Sequence, residues 1–201
     1  MKPPRKAARE AAGRLLVQWL DHEEPLHLAL HEKGRARQRE ALGRAATYFG
    51  VVRGLRRGPE ERLGVPRFEL LRRCFAGVDG ERVSAADVAP VATGVAESVA
   101  RAYGGTLYLS LATKLLWAKY RDPFVIYDSV VREHLGTPKG DYAAYLEAWH
   151  ECYASHRGAL VAACNELASK PSAPDRGARG IVTEEWFRRR AFDLMIWHHG
   201  A

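Results

Sequence analysis

Residues 111–135 read LATKLLWAKYRDPFVIYDSVVREHL, and this stretch leaves the backbone few choices. Lys114 to Ala118 favour a helix, the Arg121-Asp122-Pro123 break ends it, and Phe124 to Tyr127 is too short and too β-branched to form another. Asp128 is then placed to open the next helix, running to about Leu135. The chain is therefore expected to double back, with a lysine on the first arm and an aspartate at the end of the return.

A helix rises about 9 Å from Lys114 to Tyr120 at ~1.5 Å per residue, and an extended return from Phe124 to Asp128 covers about 13 Å at ~3.3 Å per residue. An amine and a carboxylate so placed can approach one another. The segment Val125-Ile126-Tyr127-Asp128-Ser129-Val130-Val131 resembles the apolar-Asp-Thr/Ser-x-Val segment of the helix-hairpin-helix DNA glycosylases, which carries their catalytic aspartate at a helix start. In the bifunctional members a lysine on the preceding helix is the nucleophile, the position Lys114 matches. The resemblance covers about twenty-five residues and is to a divergent, oxoguanine-glycosylase-like branch. That branch includes compact bacterial proteins, some of them used in defence against phages with modified DNA.

The resemblance implies a DNA glycosylase that excises a modified or damaged base and leaves an abasic site, with Asp128 and Lys114 as catalytic residues and lyase activity if the lysine attacks. The hairpin is degenerate: Gly104-Gly105 lies nine residues before Lys114, with no Gly-x-Gly beside it. Lysine and aspartate are 14 residues apart, somewhat closer than in the common bifunctional members. No four-cysteine run follows, which excludes an iron-sulfur cluster, and no cofactor is implied.

The residue types suit this chemistry. Breaking an N-glycosidic bond builds positive charge on the sugar, which a fixed carboxylate at a helix start offsets. An amine nucleophile must spend time unprotonated, which an apolar helix encourages. Each residue also has an ordinary use, as a helix cap for Asp128 and as a snorkelling or phosphate-touching cation for Lys114. A flipped base needs aromatic or apolar walls, for which Tyr127, Trp117 and Trp149 are the candidates. Arg53, Arg56 and Arg57, and separately Arg188, are candidate phosphate contacts, since arginine forks match phosphate oxygens.

Charge points the same way. The net charge is +7, and residues 1–60 hold 13 Lys and Arg against 7 Asp and Glu. That basic N-terminal helical layer is expected to precede a helical glycosylase-like core over 61–201, the two forming one continuous domain. DNA is the expected partner; no protein partner is inferred. The alternative is a non-catalytic helical DNA-binding or regulatory module, and a further one is an adaptor for an acidic protein.

The rest of the chain reads as all-α. Helices are expected over 5–20, 36–57, 68–76, from Ser84 to about Tyr103, over 141–169, and from Glu184 to His198 with Thr183 as cap. In the last of these Trp186, Phe187, Phe192, Leu194, Met195 and Trp197 are expected to be largely buried. Residues 170–180 are the clearest loop, and Phe124–Tyr127 is the best, though weak, strand candidate. Three cysteines without a CxxC pair argue against a disulfide framework. Charges interrupt every apolar run, so no signal peptide or membrane span is visible and a cytoplasmic protein is expected. His150, Cys152 and His156 are read as no metal site, with Cys152 pointing away from both histidines. No Walker loop, serine elbow or dinucleotide fingerprint is present.

Overall fold

A computed structural model describes residues 4–105, 108–169 and 180–199, and among these every regular element is helical. The chain forms two compact units, one of residues 1–22 with 128–201 and one of residues 23–127. The division falls at 22/23 and 127/128.

The first unit opens with α1 (Pro4–Gln18), which starts on proline, a residue whose missing N–H costs nothing there. Ala7, Ala8, Ala11, Ala12, Leu15 and Leu16 recur at helical spacing and are all buried. They face α9 (Tyr142–Ser169) and α10 (Glu185–His199), and α10 also packs on α8 (Ser129–His134). The small alanines let the helices approach closely. Trp19, Tyr145, Trp149, Phe187 and Phe192 then fill the core, with Trp19 and Trp186 at 4.5 Å between ring centroids.

Two expectations for α10 change. Thr183 does not cap it: the helix begins two residues later, and the Thr183 hydroxyl donates to the Gly180 carbonyl at 2.8 Å. Trp197 is 48% exposed, because the burial stripe ends one residue earlier at Ile196. Trp186, Phe187, Phe192, Leu194 and Met195 are buried as expected. Of the expected loop, residues 170–179 lie outside the described residues.

The unit of residues 23–127 contains α2 (Glu24–Leu30), α3 (Arg35–Tyr48), α4 (Gly58–Arg62), α5 (Glu69–Phe75), α6 (Val88–Tyr103) and α7 (Leu109–Tyr120). Leu111, Ala112, Leu115, Leu116, Trp117 and Ala118 are buried on nearly all sides of α7, against which α2, α3 and α6 pack. Glycines at 104 and 105, both with positive φ, end α6 as expected. The helix read over 36–57 is shorter: it stops at Tyr48, and a single 3-10 turn covers Val52–Gly54. From Ser84 the chain first makes a 3-10 turn, Ala85–Asp87, before α6. The π-helical turn Trp19–Glu23 and α2 fall between the helices read over 5–20 and 36–57; Pro25 sits in the first turn of α2, where it is tolerated.

The return after α7 is extended, as read, but pairs with no strand. It is held by a side chain: the Tyr127 N–H donates to Thr113 Oγ1 at 3.0 Å, and the Thr113 hydroxyl donates to the Leu109 carbonyl at 2.8 Å. Phe124, Val125, Ile126 and Tyr127 are all buried. Among the described residues no helix is long and apolar enough to cross a membrane.

Candidate functional site

Asp128 begins α8 as its N-cap, with backbone in the extended region and Oδ1 accepting the Val130 N–H at 2.9 Å. The cap fixes the carboxylate in a half-exposed position while its carbonyl receives the Arg132 N–H at 2.8 Å.

Behind Asp128 in the same unit lies a buried polar cluster that the sequence did not suggest. The Tyr145 hydroxyl faces the Asp128 backbone N–H, and its ring stacks on Tyr142 with centroids 6.0 Å apart. Burial, the charge of Asp193 and the neighbouring Tyr142 push the Tyr145 hydroxyl well above the usual tyrosine range. Asp193 on α10 is 5% exposed, and its Oδ1 accepts the Trp149 indole N–H at 2.7 Å. Arg190 Nη1 stands 3.9 Å from Asp193 Oδ2, and the Arg189 guanidinium lies 5.5 Å from the centre of the Trp149 ring. Burial pushes Asp193 up to about 7, against the pull of Arg190, the Trp149 N–H and Arg189. A carboxyl that shares its proton near neutrality thus lies close enough to feel Asp128. Asp193 was hidden from sequence reading because it looks like one more polar residue on an Arg-rich helix; its spacing within the run Phe192 to Ile196 was the available signal.

Lys114 lies half-buried on α7 in the other unit, between the buried Thr113 and Leu115. The three proposed base-pocket aromatics are core residues here. Trp149 is fully buried, stacked on Tyr153 at 5.2 Å and bonded to Asp193. Trp117 is 2% exposed and meets the edge of Phe49, and Tyr127 is 7% exposed. None of the three offers a ring face to solvent, because each lies on the inward stripe of its element.

The arginine candidates divide. Arg53, Arg56 and Arg57 are exposed. Arg188 is instead drawn into a cluster on Glu185, which accepts from Tyr153 at 2.8 Å, from Arg157 at 3.3 Å and from Arg188 at 3.3 Å. Burial raises Glu185, but the bonds from Arg157, Tyr153 and Arg188 outweigh it and hold the group below the usual carboxylate range. Arg188 serves that carboxylate, not an open surface.

Cysteine and metal chemistry find little support. Burial pushes Cys74 and Cys152 up and Cys164 up to about 11, which disfavours thiolates. Contrary to the sequence reading, Cys152 does face His156, with Sγ 3.9 Å from Nδ1, because residues four apart share a helical face. That nitrogen also lies 2.9 Å from the Cys152 carbonyl. Among the described residues no three His, Cys, Asp or Glu are grouped to hold a metal ion.

No protein-family model matches this sequence, and neither a curated protein nor a solved structure resembles it closely enough to carry an argument. The functional reading therefore rests on residues and geometry.

Proposed function

We propose that the chain is a DNA N-glycosylase that removes a modified base and leaves an abasic site. The observation that carries this reading is the closed return: lysine helix, break, buried apolar segment bonded back to Thr113, then an aspartate capping a helix. That is the order and local setting of the helix-hairpin-helix glycosylases, in an all-helical chain. In the reaction the N-glycosidic bond breaks with its electron pair leaving on the base, and positive charge gathers on the sugar. Asp128 faces that charge with a carboxylate already fixed by Val130. Water then adds at the anomeric carbon, or the Lys114 amine adds there and, once the sugar ring opens, forms an imine. Modified bases in invading DNA are the substrate class that the bacterial branch suggests.

Incubation with DNA carrying different modified bases, followed by borohydride, tests the reading. Abasic sites with a covalent adduct assign Lys114 as nucleophile, and abasic sites without one assign water. A second reading, a non-catalytic helical DNA-binding module, draws on the exposed arginines at 53, 56 and 57; it expects DNA binding and no abasic product from any DNA.

A further inference from the structure

In the unit of residues 23–127, α3 and the segment Pro66–Phe68 border an open groove of about 750 Å³ that sequence reading did not suggest. This is a volume typical of small-ligand sites. Ala36, Gly43, Pro66, Phe68 and Tyr48 give it apolar walls. The wall at Phe68 is built with some care. Phe68 has φ of 65°, a conformation a bulky residue adopts only when its surroundings enforce it. Its ring occupies the space that a side chain at Gly43 would need: a Cβ there would stand 2.4 Å from the ring.

The neighbouring residue fixes the wall in place. The Arg67 guanidinium lies 4.6 Å from the Phe68 ring centre and donates to the Leu55 carbonyl at 2.5 Å, the Arg56 carbonyl at 3.2 Å and the buried Glu60 at 2.8 Å. Glu60 also accepts from Tyr103 at 2.6 Å and from the Leu70 N–H at 3.3 Å. Arg67 thereby ties the wall of the groove to the backbone of residues 55 and 56. The segment bearing Arg53, Arg56 and Arg57 is anchored to the same structure.

Arginines of this unit differ in their partners, and Arg35 and Arg62, which do not line the groove, are exposed. Arg37, Arg39, Arg67, Arg72, Arg73, Arg82 and Arg101 all pair with carboxylates. Among the described residues Arg44, on the groove, and Arg53, Arg56 and Arg57 are exposed and make no side-chain hydrogen bond or ion pair. Arg44 lines the groove beside Glu40, and Arg53, Arg56 and Arg57 lie on the segment whose backbone Arg67 ties to its wall; guanidinium groups next to an apolar groove match a chain that alternates phosphates with flat apolar rings.

We infer that the groove binds a nucleotide of an unpaired DNA strand, its base against Phe68 and Pro66 and its flanking phosphates on Arg44, Arg53, Arg56 and Arg57. Stacked bases in a duplex cannot enter such a slot, whereas single strands are held by aromatic contacts and basic tracks. An acidic peptide would satisfy the arginines but leave the apolar walls without a flat partner. The inference rests on nucleic acid as the partner and not on base excision.

Its test uses the full chain with Asp128→Asn, so that binding is read without cleavage, and fluorescent oligothymidylate as the probe. The oligomer is expected to bind more tightly than a duplex of the same length, with affinity falling as salt rises. Changing Arg44, Arg53, Arg56 and Arg57 to Gln together is expected to reduce the salt slope by about 3, at roughly 0.7 per single-strand phosphate contact. Phe68→Gly suits the positive φ and removes the ring. It is expected to weaken binding about ten-fold with the slope unchanged, provided that its unfolding curve matches the parent. Tighter duplex binding, equal displacement by polyglutamate, or affinity indifferent to both the arginine and Phe68 changes would overturn the inference. Single-strand binding by the parent chain without abasic product from any modified DNA would count against excision alone.

Discussion

Asp193 and Glu69 show how differently two buried carboxyls behave in this chain. Burial lifts Asp193 from 3.8 to about 7 against the pull of Arg190, the Trp149 indole N–H and Arg189. Because the folded state holds the proton more tightly, its stabilising contribution is full below pH 3.8 and is lost as pH rises through 7. Urea unfolding at pH 4, 5.5 and 7 is expected to show Asp193→Asn losing less stability than the parent over that interval, since Asn keeps an acceptor for Trp149 without the charge. Equal losses would place the proton elsewhere. Glu69 is the opposite case. Hydrogen bonds from Arg72, against the cost of burial and with help from Arg73 and Arg39, hold it down at about 2. Its contribution is present above the usual pKa of 4.5 and is lost as pH falls through 2. Glu69→Ala leaves three arginines without a shared partner and is expected to cost roughly 3 kcal/mol at neutral pH in the same measurement. His27 acts with the same sign as Glu69: burial pulls it down to about 4 despite its contact with the Ala118 carbonyl, so stability falls as pH drops from 6.5 through 4.

At the scale of elements, the return after α7 is bonded back to the helix through Thr113. Thr113→Val keeps the shape of the residue but leaves the buried Tyr127 N–H without its acceptor, an expected loss of about 1 to 3 kcal/mol in chemical denaturation. Thr113→Ser, which restores the hydroxyl, is expected to recover most of it. An unchanged midpoint for Val would mean that apolar burial alone holds the segment. The sequence made the helices legible wherever apolar periodicity and punctuation agreed: α1, α5, α6 to α8, α9 and α10 lie where they were read, within a few residues. It left α2 unassigned, and it failed at Thr183, which bonds backwards. The aromatic candidates failed for another reason. Trp117, Tyr127 and Trp149 sit on helices or a return whose inward face is set by tertiary packing, and a sequence does not state which face that is.

At the scale of the whole molecule, the basic surplus is uneven: residues 1–60 carry a net +6 and the other residues +1. Residues 23–127 carry a net +5 and the remaining residues +2. Composition revealed a basic surplus but not that Arg39, Arg67 and Arg188 spend their charge on Glu69, Glu60 and Glu185. Asp128 was legible because a cap is a local device, set by the residues that follow it. The Asp193, Tyr145 and Trp149 cluster beside it joins residues from two helices and has no local signature. The account's central claim is that Asp128 supports base excision. Its most direct measurement is single-turnover release of base from modified DNA by the parent and by Asp128→Asn, with DNA affinity determined in parallel. The claim requires abasic product from the parent, loss of at least about 100-fold in rate for the variant, and near-equal affinity. Release by the variant at the parent's rate, or no abasic product from the parent on any modified DNA, would contradict it.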